Sequence, residues 1–216
     1  MNKIIFIHGW ACDASVFDIL LPKIDTSNVC CINYANNYDF ESQLVKEIQA
    51  HKNSHIFAWS MGGMIVLNNW QQIKSHIKTL NLISVPDKFC GKHNHTTMRL
   101  EQMITSLTNN PKKELKRFWL NAGVKRLYSS AIKLDFDWLK HSLIYLSQFD
   151  AYPMVKNIAV PTNILQGQMD NICLPQAGKA LHQLIPQSKL NIFQNSKHAP
   201  FIDTEEEFLR FYTNII

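Results

Sequence analysis

The chain has 216 residues, enough for one domain with a sizeable core, and its 46% apolar and 18% charged residues are an ordinary globular composition that excludes long disorder. No apolar run approaches the ~20 residues that cross a bilayer, and "KIIFI" near the start is too short for a signal-peptide core, so a soluble, cytoplasmic protein is expected. The net charge of +5 comes from residues 87 to 150, which carry 11 Lys and Arg against 6 Asp and Glu, while the rest of the chain balances. In chain order, apolar runs at 4–7, 29–34, 55–59, 79–84, 162–166 and 189–193 read as strands. Most are too continuously apolar for a sheet wet on one face, so helices are expected on both faces. Residues 41–51, 61–75, 175–185 and 203–215 read as helices, the last capped by Asp203 with Glu205, Glu206 and Glu207 in its first turn. Alternating strands and helices predict an α/β fold with a mainly parallel sheet.

Residues 87–150 interrupt the alternation. They contain no convincing strand, and helical patterns at 94–109, 111–121 and 134–148 follow one another. The expected organisation is one domain over 1–216 with a helical cap inserted at about 87–150. Its aromatic residues, Phe118, Trp119, Tyr128, Phe136, Trp138, Tyr145 and Phe149, are read first as core. The five cysteines, Cys12, Cys30, Cys31, Cys90 and Cys173, are an odd count without a CxxC spacing and are expected to be buried free thiols.

"FAWSMGGMIV" at 57–66 places Ser60 between an apolar strand and a helix. A serine on such a turn presents its hydroxyl above the sheet, with backbone N–H groups of the helix start beside it, and Gly62 lets the helix approach the sheet. The pattern is that of a G-x-S-x-G nucleophile elbow with Ala58 in place of the first glycine; an ordinary capping serine is the alternative. A serine hydroxyl needs a base, and the base needs an orienting acid. "LQGQMDNICLP" puts Asp170 in the loop after the strand at 162–166, and "IFQNSKHAPFID" puts His198 between the last strand and the last helix. Both are loops at strand C-terminal ends, where open α/β sheets collect their sites. Asp87 and Asp150, at the ends of the insertion, are weaker candidates for the acid. In "FIHGWACD", the N–H of Trp10 is placed to join that of Met61 in an oxyanion hole, and His8 is read as a structural residue holding the loop. His93 and His95 lack a carboxylate or cysteine at matching spacing, so no metal and no cofactor is expected. No nucleic-acid-binding motif accompanies the basic patch. Oligomeric state is beyond the sequence.

"HGW" at 8–10, "WSMGG" at 59–63, "GQMDNICLP" at 167–175 and "HAPF" at 198–201 together resemble the α/β-hydrolase superfamily over the whole chain, and within it the BioH-type pimeloyl-ACP methyl ester esterases of biotin synthesis. The strand leading into "HGW" begins almost at residue 1, so the N-terminal hairpin typical of that family is expected to be shortened or missing. The resemblance implies Ser60 as nucleophile, Asp170 and His198 as its partners, and Trp10 and Met61 as oxyanion donors. It implies that Phe118, with Trp10, lines the acyl channel. It also implies that the basic cap docks acyl carrier protein, through Lys113 and Arg117 with Lys112, Lys116, Lys125 and Arg126 as helpers. Two other readings stand beside it. One is a broad short-chain carboxylesterase or thioesterase; the other is a non-catalytic hydrolase-fold binding protein, whose mark, loss of a triad member, is not seen here.

Overall fold

A computed structural model describes residues 2–124 and 133–216. Six strands, β1 (Ile4–Ile7), β2 (Val29–Ile32), β3 (Ser54–Trp59), β4 (Ile77–Ile83), β5 (Thr162–Gly167) and β6 (Lys189–Phe193), form one sheet in the order β2-β1-β3-β4-β5-β6. Every pairing is parallel. The strands fall where the apolar runs predict them. β1, β3 and β5 are buried at every residue, whereas the edge strands β2 and β6 are mostly half-buried, as expected for a sheet covered on both faces and open at its edges.

The flanking helices are α1 (Phe40–Gln49), α2 (Met61–Asn68), α3 (Trp70–Ile73), α8 (Pro175–Leu184), α9 (Pro200–Asp203) and α10 (Glu205–Thr213). In α1 the buried residues Phe40, Leu44, Val45 and Ile48 share one face, the spacing that makes a surface helix adhere to a sheet. In α2 everything from Met61 to Leu67 is buried, so this helix runs through the centre of the molecule. Between β4 and β5 lie α4 (Thr97–Asn109), α5 (Pro111–Ala122), α6 (Phe136–Ser147) and α7 (Tyr152–Val155). Local chemistry sets their starts. Asn110 accepts from the Lys113 N–H ahead of Pro111, and Asp135 accepts from the Asp137 and Trp138 N–H groups.

Three details depart from the sequence expectation. The helix expected over 61–75 breaks at Asn69, whose side chain donates to the Ile65 carbonyl of its own helix and to Glu41, so the chain turns into α3. The helix expected over 203–215 is two helices, and Asp203 caps neither. It ends α9, and its carboxylate accepts the Lys197 N–H at 2.8 Å instead. Among the aromatic residues of the insertion, Trp138 and Phe149 are fully buried, but Phe136 is exposed on the first turn of α6; Tyr128 lies outside the described residues. Cys12 and Cys173 are buried free thiols, while Cys30, Cys31 and Cys90 are free but only half-buried. Among the described residues no helix is long and apolar enough to cross a membrane.

Candidate active site

Ser60 joins β3 directly to α2 and sits at φ 53°, ψ −119°, a left-handed backbone that a residue with a Cβ adopts only under constraint. The constraint is visible. The Ser60 N–H is bonded to the Ile83 carbonyl of β4 at 2.8 Å, and its carbonyl accepts from Met64 in α2. Two residues on, a Cβ on Gly62 would stand 2.5 Å from the His8 carbonyl and 2.6 Å from Ile7 Cγ2. Only glycine lets α2 lie this close to the end of β1.

The loop after β1 is held by His8. Its Nδ1–H donates to the Gly9 carbonyl at 2.9 Å, its Nε2 accepts the Tyr34 N–H at 3.2 Å, and its carbonyl accepts the Tyr34 hydroxyl at 2.7 Å. This pattern needs the neutral ring, and burial holds the His8 pKa down to about 4. The next residue but one, Trp10, fixes the loop from the other side. Its indole donates to Ser142 Oγ at 3.0 Å and to the Leu139 carbonyl at 3.2 Å, both in α6. The Trp10 backbone N–H has no acceptor among the described residues, and that of Met61, at the first position of α2, has no intrahelical partner.

Asp170 and His198 come together from the loops after β5 and β6. His198 Nδ1 lies 2.7 Å from Asp170 Oδ2, with both side chains sealed from solvent. Asp170 Oδ1 accepts from the Ile172 and Cys173 N–H groups, and its Oδ2 also receives Gln166 Nε2 at 3.3 Å, so the carboxylate has one orientation. The two loops touch through backbone. A Cβ on Gly167 would meet the Lys197 carbonyl at 1.8 Å, a contact that no larger residue permits. Trp59, the residue before Ser60, donates its indole N–H to the His198 carbonyl at 2.8 Å and packs against the imidazole. His198 Nε2 is buried and has no hydrogen-bond partner among the described residues, Ser60 included. Such bonds often tighten only when substrate arrives.

Ser60 opens onto a cavity of about 720 Å³, roofed by α4, α5 and α6. Trp10 and Phe118 both line it, their rings edge to face at 4.7 Å, and Leu100, Met103, Leu143 and Leu146 supply apolar wall. The other sequence candidates are more scattered. Asp87 is engaged by His93 at 2.7 Å and Asp150 by Lys88, while His95 bonds the Asn171 carbonyl. Lys112, Lys113 and Lys116 are exposed on α5, but Arg117 is bonded to Glu114 at 2.6 Å; Lys125 and Arg126 lie outside the described residues. Sequence reasoning missed Trp59, Gln166 and Glu114 as site residues. A glutamine inside an otherwise apolar strand end and a single acid in a basic stretch were the signals available.

A parallel sheet of this order, with its serine on the β3–α2 turn and acid and histidine after the last two strands, makes the chain an α/β-hydrolase in fold. An esterase from Exiguobacterium antarcticum superposes with a TM-score of 0.88 at 19% identity, covering 100% of this chain and 91% of that one. In sequence the chain is similar to the pimeloyl-[acyl-carrier protein] methyl ester esterases. It is 22% identical to that of Neisseria meningitidis serogroup A over the whole of this chain and 77% of the relative, and 23% identical to that of Aliivibrio fischeri over 96% and 91%. No family model matches.

Proposed function

We propose that this carboxylic ester hydrolase removes the methyl group of a pimeloyl-ACP methyl ester, with Ser60 as nucleophile, His198 as base and Asp170 as its orienting acid. The observation that carries the reading is the sealed Asp170–His198 pair, whose Nε2 has no partner among the described residues, behind a strained serine that faces an acyl-sized cavity.

In the reaction, Ser60 Oγ attacks the ester carbonyl carbon while His198 Nε2 takes its proton. The oxyanion of the tetrahedral adduct accepts from the Trp10 and Met61 N–H groups, and Asp170 stabilises the imidazolium. The C–O bond to the methoxy group breaks as His198 returns the proton, so methanol leaves. Water, deprotonated by the same nitrogen, then attacks the acyl-enzyme and restores Ser60 with release of the carboxylate. Trp10 and Phe118 border the acyl chain. The similarity to relatives named for pimeloyl-acyl carrier protein supports the carrier as partner, and Lys112, Lys113 and Lys116 are exposed cations on α5 that suit an acidic carrier, beside Arg117, which is exposed but bonded to Glu114. The reaction belongs in the cytoplasm, where such a carrier is found.

The test is hydrolysis of methyl pimeloyl-ACP beside the same ester on N-acetylcysteamine, at low and high salt. A strong preference for the carrier that fades with salt is the expected result. Equal or faster turnover of the small thioester at both salt levels contradicts the carrier assignment and leaves a broad carboxylesterase.

A further inference from the structure

The cavity wall holds a charge that the reaction does not use. Glu114, on α5, is the single acid among the described residues that line the cavity, and only 5% of it is exposed. Arg117 Nη2 donates to its Oε1 at 2.6 Å; its Oε2 takes no hydrogen bond among the described residues. The two members of the pair face different media. The Arg117 side chain is 60% exposed, so water screens its charge, whereas the carboxylate borders a cavity walled by Leu100, Leu143 and Leu146. Charge acts further in that setting than in water. The other charged or titratable groups at the cavity are Arg99, exposed on α4, and His95, whose burial lowers its pKa and favours the neutral ring. Cations therefore lie at the rim and the anion lies inside.

We infer that Glu114 makes this cavity select electrically neutral acyl chains, its Oε2 accepting a hydrogen bond from an N–H or O–H of the substrate and disfavouring an ionised carboxylate in the same space. The inference rests on the reading of the cavity as the acyl site. It gives the site a direction: a neutral ester enters, and the carboxylate made from it is repelled.

The experiment is calorimetric titration of the Ser60→Ala protein at pH 8 with two N-acetylcysteamine thioesters, one of monomethyl pimelate and one of pimelic acid, which differ only in the charged end. The ester is expected to bind at least about tenfold more tightly, a ratio that Glu114→Gln narrows to within about threefold by strengthening the acid, while Glu114→Asp keeps it. Equal or tighter binding of the acid in the Ser60→Ala protein overturns the inference without any further variant, so a misfolded Glu114→Gln protein does not shelter it. An unchanged ratio in folded Glu114→Gln also overturns it. Either result leaves Ser60 and its partners standing. Failure of both ligands to bind removes the inference together with the reading of the cavity as an acyl site.

Discussion

At the scale of single residues, the proposed role of Ser60 and its backbone conformation pull in opposite directions. Its φ of 53° is a conformation in which a Cβ is strained and glycine is not. Ser60→Ala and Ser60→Gly are both expected to lower ester turnover by several decades, but only Ser60→Gly relieves the backbone. It should gain about 1 kcal/mol, or roughly 2–4 °C in thermal midpoint for a chain of this size, relative to Ser60→Ala. Equal midpoints for the two variants would show that the turn is unstrained. His8 gives a pH prediction. With a folded pKa of about 4 against an ordinary 6.5, the unfolded chain binds more protons between these values, so stability is full above pH 6.5 and falls as pH drops toward 4. The loss attributable to His8 is on the order of 3 kcal/mol. Urea unfolding at pH 4.5 and 7.5 should show a smaller difference between the two pH values in His8→Gln than in the parent, because the variant has lost the titrating group. Ser60, Asp170 and His198 could be picked out as candidates because each stands in a short motif at a strand end. Glu114, Gln166 and Trp59 were not, since a buried carboxylate, amide or indole acquires its role from partners remote in sequence.

At the scale of elements, the elbow depends on how closely α2 approaches β1. A Cβ on Gly62 would press on the Ile7 and His8 carbonyls and on Ile7 Cγ2, all within 3 Å, so Gly62→Ala must push the helix away. A cost of about 1–3 kcal/mol is expected from overpacking of this kind. Because the Met61 N–H moves with the helix, turnover should fall more than stability alone explains. Assaying at a temperature where the variant is fully folded separates the two effects, and unimpaired kcat there would refute a role for this contact in setting the site. The strands were legible from their apolar runs, since burial on both faces leaves little room for polar residues. Helix ends were less so. Asn69 ends α2 through bonds to Ile65 and Glu41, and Asp203 is drawn to Lys197, choices that local propensity does not encode.

At the scale of the whole molecule, Lys112, Lys113 and Lys116 lie on α5, a helix that also roofs the cavity, so one element serves both proposed tasks, docking and acyl selection. The two are separable by position. Lys112 and Lys113 are exposed, and replacing both with glutamate should weaken use of a carrier-bound ester by about tenfold at low salt, while turnover of a small thioester stays within about twofold. Equal loss on both substrates would mean that the change acts on the cavity instead. The all-parallel sheet was readable from alternating elements. The cavity was not, because its walls come from α4, α5 and α6 brought over the sheet by contacts such as Trp10 to Ser142.

The central claim is that Ser60 is an activated nucleophile, and mass spectrometry after treatment with a fluorophosphonate tests it most directly. One phosphonyl adduct per chain is expected, mapped to Ser60 and lost in both Ser60→Ala and His198→Ala. A protein that stays unlabelled, or that carries the adduct on another residue, would contradict it.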